Sequence, residues 1–179
     1  MKITLTENLK QKPDFKNLGF GKYFTDHMLY MEYVDGKWGE VEIRPFSDIA
    51  VNPASVVFHY GQEIFEGMKA YKNTDGKITM FRPRDNILRM NRSAKRLCMA
   101  ELPVDEVLEG IFELVRIEKD WIPTDPGTSL YIRPTMIANE NFLGVHPSKK
   151  YIFFVILSPV GSYYAHGLEP MRIYVEDVC

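Results

Sequence analysis

Two Asp-Gly dipeptides constrain the fold of this chain more than any other sequence feature. Asp35-Gly36 separates H-M-L-Y-M-E-Y-V from W-G-E-V-E-I, and Asp75-Gly76 separates M-K-A-Y-K from I-T-M-F. Asp-Gly between β-prone runs is a strong hairpin signal, because a type I′ turn needs a positive φ at both central positions. The sequence therefore predicts antiparallel strands near 27–34, 38–44, 66–72 and 77–82.

The hydrophobic period changes to helical spacing at Pro83, a residue that suits the first turn of a helix. This first helix is predicted over 83–99, with an apolar stripe of Ile87, Met90, Ala94, Leu97 and Cys98. A second helix is predicted over about 103–119. Asp105 and Glu106 lie in its first turn, where the helix dipole favours negative charge.

Strands return after the two helices, near 129–138 and 151–159. The second of these is apolar on both faces, which is typical of a central strand. The order predicts an α+β fold, an antiparallel β-sheet with two principal helices packed on it. We expect a small N-terminal domain over 1–165. Residues 166–179 would then be an interdomain loop and the first strand, M-R-I-Y-V, of an absent large domain.

Charge and composition exclude several classes of function. The 179 residues carry a formal net charge of −2, so no basic field exists to hold a nucleic acid. The N-terminus has no apolar segment typical of a signal peptide, and the longest apolar run is too short to span a membrane. The two cysteines form no C-x-x-C pair, and the histidines lack metal-ligand spacing. These features predict a soluble cytoplasmic protein without a metal.

The stretch T-S-L-Y-I-R-P-T-M (128–136) has the residues of a packed β-strand, except that it carries one charged side chain, Arg133. Alternation puts Tyr131, Arg133 and Thr135 on one face. A guanidinium is a planar donor group that suits a carboxylate or phosphate, so this face either binds a ligand or pairs Arg133 with a glutamate. Pro134 indicates a sheet edge or a bulge, because proline lacks a backbone donor.

The first predicted helix carries arginines opposite its apolar stripe, at Arg89, Arg92 and Arg96. Such a row is usually a solvated helix face. The alternative is that one arginine holds a phosphate, and the pattern does not indicate which one.

The segment H-Y-G-Q-E-I-F-E-G-M-K-A-Y (59–71) mixes aromatic residues with two glycines. Gly61 and Gly67 indicate bends or a close backbone approach. Lys69 has the apolar neighbours of a Schiff-base lysine, but a strand lysine with its ammonium in solvent is the simpler interpretation.

Several of these stretches together resemble branched-chain amino acid aminotransferases, which are pyridoxal 5′-phosphate (PLP) enzymes of fold type IV. The resemblance runs from about residue 18 to the end and rests on several blocks, including 59–71, F-R-P-R-D-N-I-L-R-M-N-R-S-A-K-R-L (81–97), G-T-S-L-Y-I-R-P (127–134) and F-F-V-I-L-S-P-V-G-S-Y-Y (153–164). It implies the small domain of these enzymes and a homodimer. The implied reaction transfers the amino group of leucine, isoleucine or valine to 2-oxoglutarate, giving glutamate and branched-chain 2-oxo acids.

The resemblance implies binding roles for three polar residues. Arg89 resembles the arginine that binds the cofactor phosphate. Tyr131 and Arg133 resemble a Tyr-x-Arg pair, in which the tyrosine orients the substrate α-carboxylate and the arginine receives the side-chain carboxylate of glutamate. An unpaired buried carboxylate would cost several kcal/mol, so a cation at the pocket rim lets an apolar site accept glutamate as well.

The resemblance also implies an aliphatic pocket shared between two subunits. Phe20, Phe65 and Tyr163 resemble its walls. Tyr60 and Val145 match residues that the partner subunit supplies in this family.

One expected motif is absent from these 179 residues. In the family, the lysine that forms a Schiff base with the cofactor lies in a G-x-x-K-x-G-G-N-Y type segment, which the resemblance places roughly a dozen residues after Cys179. No catalytic residue is therefore assigned here, and we expect the chain alone not to transaminate, because this chemistry needs the primary amine.

The sequence leaves two alternatives to the aminotransferase interpretation. One is a stand-alone dimerisation or ligand-binding domain of the same fold without catalysis. The other is a relative of D-amino acid aminotransferases or aminodeoxychorismate lyases, which share the phosphate arginine.

Overall fold

The computed structural model describes residues 1–161, 170 and 172–176. Its strands are β1 (Lys2–Ile3), β2 (His27–Val34), β3 (Lys37–Trp38), β4 (Glu42–Pro45), β5 (Glu63–Phe65), β6 (Met68–Lys72), β7 (Ile78–Met80), β8 (Ser129–Ala138) and β9 (Tyr151–Val160). Its α-helices are α1 (Val56–Tyr60), α2 (Pro83–Arg96) and α3 (Val104–Ile117), with 3₁₀ turns at Phe15–Asn17 and Lys119–Trp121.

The described strands form a single sheet in the order β1-β4-β2-β9-β8-β6-β7, with β3 beside β2 and β5 beside β8. Every pair is antiparallel except β1 and β4, which run parallel. The predicted α+β class is confirmed, and β9 is central as its two apolar faces predicted. The short strand β1 and its parallel pairing were not predicted.

The main core lies between the sheet and helices α2 and α3. The helices bury Ile87, Met90, Ala94, Val107, Ile111 and Leu114, and β8 buries Leu130, Ile132 and Met136 in the same cluster. These residues recur at helical spacing on the helices and at every second position on the strand, so the two hydrophobic periods meet in one interior.

Helix α2 ends earlier than predicted. Cys98 adopts a left-handed conformation with φ 54°, and the last helical residue is Arg96. Leu97 is 45 % exposed and Cys98 is also exposed, so their predicted place in the apolar stripe is wrong. The stripe is buried only as far as the backbone continues the helix.

The opposite side of the sheet, which we call the open face, carries Tyr131 and Arg133 of β8. Strand pairing aligns these residues with Ser158 and Ile156 of β9. A second, smaller buried cluster lies further along this face, formed by Met28, Tyr30 and Ile152. The open face is therefore apolar over much of its area. Helices α2 and α3 do not cover it, because they pack on the other side of the sheet.

The two Asp-Gly sites form hairpins of different kinds. Asp35 and Gly36 have φ of 53° and 80°, which confirms the type I′ turn. At the second site only Gly76 has a positive φ, 81°, and Asn73 and Lys77 close a three-residue loop with a 2.9 Å bond from the Asn73 N–H. The predicted type I′ turn is wrong there, because a three-residue loop needs the left-handed conformation only at its last residue.

Pro134 lies in a central strand whose register is continuous on both sides, so the predicted sheet edge or bulge is wrong. Strands β5 and β6 are in register along β8 but are interrupted at Glu66 and Gly67, opposite Pro134 and Arg133. The Glu66 N–H donates to the Pro134 carbonyl at 2.9 Å, and proline cannot return the second bond of that pair. The missing donor is thus accommodated by a break in the neighbouring strand.

The proposed division at residue 165 stays a prediction, because residues 162–169 and 171 lie outside the described part of the chain. Residues 172–176 carry no strand assignment. No helix within the described ranges has the length and apolar character that crossing a membrane requires.

Gly110 of α3 allows the helix to approach β2 closely. A Cβ at this position would lie 2.6 Å from Leu29 Cδ1 and 2.8 Å from Val41 Cγ1. We expect Gly110→Ala to lower the free energy of unfolding in urea by about 1–3 kcal/mol through overpacking, although alanine favours helix by about 1 kcal/mol. The exposed neighbour Glu109→Ala is the control and should stay within about 0.5 kcal/mol of the wild type. A Gly110→Ala variant more stable than the wild type would contradict this packing.

Candidate functional site

Arg133 lies on the open face beside Tyr131, two residues earlier on β8. Its Nη2 and Nε donate to the Tyr131 hydroxyl at 2.8 and 3.1 Å, and its Cζ lies 4.4 Å from the ring centre of Phe65. Among the described residues, no carboxylate pairs with Arg133. The alternative in which Arg133 pairs with a glutamate is therefore wrong for the described part of the chain. The guanidinium is held by a phenol and a ring, with N–H groups left for a ligand.

The rings of Phe65 and Tyr131 lie beside this guanidinium, and the Phe20 ring packs against Tyr131. The ring centres of Phe20 and Tyr131 are 5.0 Å apart, and Phe65 is 62 % exposed. The structure thus brings together Phe20, Phe65, Tyr131 and Arg133, the residues that the resemblance grouped in one pocket. Tyr163 lies outside the described residues. The binding roles of all five stay predictions.

Gly67 makes room for the Tyr131 side chain. A Cβ on Gly67 would overlap the Tyr131 hydroxyl oxygen and would lie 3.0 Å from Cζ of the same ring. The close approach predicted for this glycine is therefore present. Gly61 meets the other expectation, since it ends α1 in the left-handed conformation with φ 57°.

Glu66 points to the other side of the strand and binds Arg89 through two parallel contacts. Arg89 Nε lies 2.5 Å from Oε1, and Arg89 Nη2 lies 2.8 Å from Oε2. Asn86 Nδ2 and the Gly67 N–H also donate to Oε2, at 3.0 and 3.2 Å. Burial raises the pKa of Glu66, but the hydrogen bonds from Arg89, Asn86 and Gly67 outweigh it and hold that pKa below its usual value. The carboxylate is therefore ionised at neutral pH.

Arg89 also faces a large, cationic cavity. Its side chain is 59 % exposed and lines a space of about 580 Å³ together with Arg82 and Arg92. Arg82 binds Asp85 at 2.5 Å, whereas Arg92 has no carboxylate partner among the described residues. The cavity suits an anionic group such as a phosphate.

A smaller cavity of about 280 Å³ adjoins the first. Tyr131 and Lys69 line it, and it shares Phe81 and Asn86 with the larger cavity. The predicted phosphate residue Arg89 and the predicted substrate residue Tyr131 therefore border neighbouring spaces, although one comes from a helix and the other from the open face of the sheet.

Tyr60 and Val145 line a separate cavity of about 410 Å³. The Tyr60 hydroxyl donates to the Leu143 carbonyl, and Val145 is 85 % exposed. This cavity shares no lining residue with the two beside Arg89 and Tyr131. The structure therefore does not bring Tyr60 and Val145 to the Arg133 group, and their predicted role in a partner subunit stays a prediction.

Glu66, Asn86 and Phe81 were not predicted as site residues. A signal for Glu66 was present, since alternation puts it on the core-facing side with Ile64 and Met68. A carboxylate in that position needs a cationic partner. Nothing in the sequence alone indicated Asn86 or Phe81, because their roles depend on where α2 crosses the sheet.

The fold is that of branched-chain aminotransferases of known structure. The enzyme from Escherichia coli superimposes with a TM-score of 0.54 at 26 % identity, covering 76 % of this chain and 41 % of that one. The T.th. enzyme, complexed with N-(5′-phosphopyridoxyl)-L-glutamate, gives 0.52 at 26 % identity, covering 72 % and 39 %. An archaeal enzyme from Thermoproteus uzoniensis shares the fold with a TM-score of 0.60 at 24 % identity, covering 78 % and 43 %.

Sequence comparison confirms the resemblance. The chain is 53 % identical to branched-chain-amino-acid transaminase 1 of Bacillus subtilis (strain 168) over 170 residues, covering 94 % of this chain and 48 % of that protein. It is 49 % identical over 179 residues to a probable branched-chain-amino-acid aminotransferase of Staphylococcus aureus (strain MRSA252), covering 99 % and 50 %. No family model matches. The chain is thus related to branched-chain aminotransferases along nearly its whole length, and it spans about half the length of these relatives.

The contact between Gly67 and Tyr131 can be tested with a double-mutant cycle. We expect Gly67→Ala to lower the free energy of unfolding by about 1–3 kcal/mol, because the new methyl group displaces the phenol. Tyr131→Phe removes the oxygen that the methyl group would meet, so Gly67→Ala should cost less in that background. Urea unfolding of the two single variants and the double variant measures the coupling. Strict additivity would mean that the two residues do not contact each other.

Proposed function

We propose that the protein carrying this chain is a PLP-dependent branched-chain-amino-acid transaminase of the cytoplasm, which transfers the amino group of leucine, isoleucine or valine to 2-oxoglutarate. The observation that carries this proposal is the Arg133 guanidinium, held by the Tyr131 hydroxyl against the Phe65 ring with no described carboxylate partner. Similarity to named transaminases favours this function over a non-catalytic domain or a D-amino acid enzyme.

Such a transaminase must accept two kinds of side chain in one pocket. Phe20 and Phe65 offer an apolar surface that suits an aliphatic chain, because burying it removes apolar area from water. Arg133 at the edge of these rings can bind the side-chain carboxylate of glutamate or 2-oxoglutarate. The Tyr131 hydroxyl accepts from Arg133 in the structure, so its own proton is free to be donated to a substrate carboxylate.

The donor set around Arg89 fits the phosphate of the cofactor. Arg82, Arg89 and Arg92 line one cavity, and the neighbouring cavity leads to Tyr131. PLP, when bound, supplies the electron sink that allows an amino group to be exchanged with a 2-oxo acid. Arg89 would hold its phosphate, while Tyr131 and Arg133 orient the substrate. No residue of the chain is assigned the primary amine that this chemistry needs.

We further propose that the protein is a homodimer in which Tyr60 and Val145 complete the site of the partner subunit. Their exposure supports this, as does the group of exposed apolar side chains near them, Phe58, Phe142 and Leu143. Exposed apolar clusters of this kind mark interaction surfaces. The exposed free thiol of Cys98 is in keeping with a reducing compartment such as the cytoplasm.

Arg133→Ala should separate the two substrate classes in the protein expressed from its complete reading frame. We expect the KM for 2-oxoglutarate to rise about ten- to a hundredfold, because a charged hydrogen-bonding partner is lost. The KM for leucine should change less than about threefold, since an aliphatic chain makes no ionic contact. Steady-state kinetics in both directions measures the effect.

Arg116→Ala is the matched control, because Arg116 is exposed and binds Glu113 on α3. It should leave both KM values unchanged. Equal losses for leucine and 2-oxoglutarate in Arg133→Ala would contradict the role given to this residue.

Arg89→Ala tests the phosphate site in the same protein. We expect its Kd for PLP to rise at least about tenfold, because the bond between guanidinium and phosphate is lost. The Kd for pyridoxal, which has no phosphate, should not change. Fluorescence titration of the apoprotein measures both values. Unaltered affinity for PLP would rule out Arg89 as the phosphate ligand.

A further inference from the structure

We propose that Glu66 is the positioning residue for Arg89: its buried carboxylate holds one edge of the guanidinium so that the remaining N–H groups are set for the cofactor phosphate. This inference rests on the proposed function and assigns a role to a residue that the resemblance left without one. Three features of the structure support it.

The first feature is the two-point contact between the side chains. Oε1 and Oε2 of Glu66 accept from Nε and Nη2 of Arg89 at 2.5 and 2.8 Å. Two parallel contacts define the plane of a guanidinium as well as its position, which a single contact does not. Arg89 has five N–H donors, so three remain for another ligand.

The second feature is that Glu66 is itself immobilised. It is 6 % exposed, and its Oε2 accepts from Asn86 and from the Gly67 N–H. Its backbone N–H is bonded to the Pro134 carbonyl. By contrast the Arg89 side chain is 59 % exposed. A long exposed side chain loses rotamer freedom on binding, and a fixed carboxylate supplies that order in advance.

The third feature is the sign of the charge. A carboxylate beside a phosphate site opposes anion binding by simple electrostatics, so Glu66 can assist binding only through geometry. The chain offers a comparison in Asp85, which binds Arg82 at 2.5 Å and lines the same cavity. Asp85 and Arg82 are 50 % and 69 % exposed, so this second pair is not held by burial. Removing either carboxylate changes the local charge equally, but only Glu66 is fixed in place.

The test measures Kd for PLP and for pyridoxal in the apoprotein expressed from its complete reading frame. In Glu66→Gln one contact to Arg89 is lost, because an amide NH₂ cannot accept from an N–H donor. We expect affinity for PLP to fall at least about fivefold, with affinity for pyridoxal unchanged. The control Asp85→Asn should leave both affinities within about twofold, or tighten PLP slightly through the lost charge. Tighter PLP binding in Glu66→Gln would show a purely electrostatic effect and overturn the proposal.

A second variant keeps the test decisive if Glu66→Gln folds poorly by circular dichroism. Glu66→Asp keeps the charge but is one methylene shorter, so it cannot maintain both contacts. We expect it also to weaken PLP and to spare pyridoxal. A ratio of the two affinities equal to that of the wild type would overturn the positioning role.

Arg89→Lys separates the failure of this inference from failure of the proposed function. In that background there is no planar guanidinium to orient, so Glu66→Gln should have no further effect on the ratio of PLP to pyridoxal affinity. A further loss there would overturn the inference alone. If Arg89→Ala itself binds PLP normally, the assigned phosphate site and the function built on it fail instead.

Discussion

The candidate site depends on the position of Pro134 in the sheet, because proline cannot donate a backbone hydrogen bond. Pro134 has no N–H to donate to the neighbouring strand, and that strand is interrupted opposite it, at Glu66 and Gly67. Because successive residues point to opposite faces, the break places a carboxylate on the helix side and a glycine on the open face. Glu66 holds Arg89 of α2, and Gly67 admits the Tyr131 phenol. Both parts of the candidate site are therefore positioned from one dipeptide.

The two arginines of the site are treated differently by their surroundings. Arg89 is bound at two points by a buried carboxylate that burial alone would make harder to ionise, and the hydrogen bonds keep the pKa of Glu66 low. Among the described residues, Arg133 contacts the Tyr131 hydroxyl and the rings of Phe65 and Tyr131, and no carboxylate. The first arrangement gives a fixed direction, and the second leaves the charge uncompensated by the described residues. Under the proposed function, the first arrangement suits a cofactor phosphate that stays bound, and the second suits a substrate carboxylate that is exchanged in each turnover.

Much of the fold could be predicted because local signals agreed with the final packing. The helical period after Pro83 predicted α2, and the type I′ turn followed from Asp35 and Gly36. The wrong predictions arose where a local sequence signal is compatible with more than one structure. Pro134 fits an edge strand or a break in the partner strand, and only the sheet order distinguishes the two. The second Asp-Gly site fits a two-residue or a three-residue loop, and the pairing of β6 with β7 selects the latter.

The sequence by itself determined the fold class, the relationship to branched-chain aminotransferases, and the alternation that places Tyr131 and Arg133 on the same face of their strand. These follow from hydrophobic period, turn chemistry and matched blocks, all of which are local along the chain. Only the tertiary structure decided that Glu66 binds Arg89, that Gly67 contacts Tyr131, and that the two cavities meet. Each of those contacts joins elements far apart in sequence. Their geometry depends on how α2 crosses the sheet, and no local pattern of residues encodes that crossing.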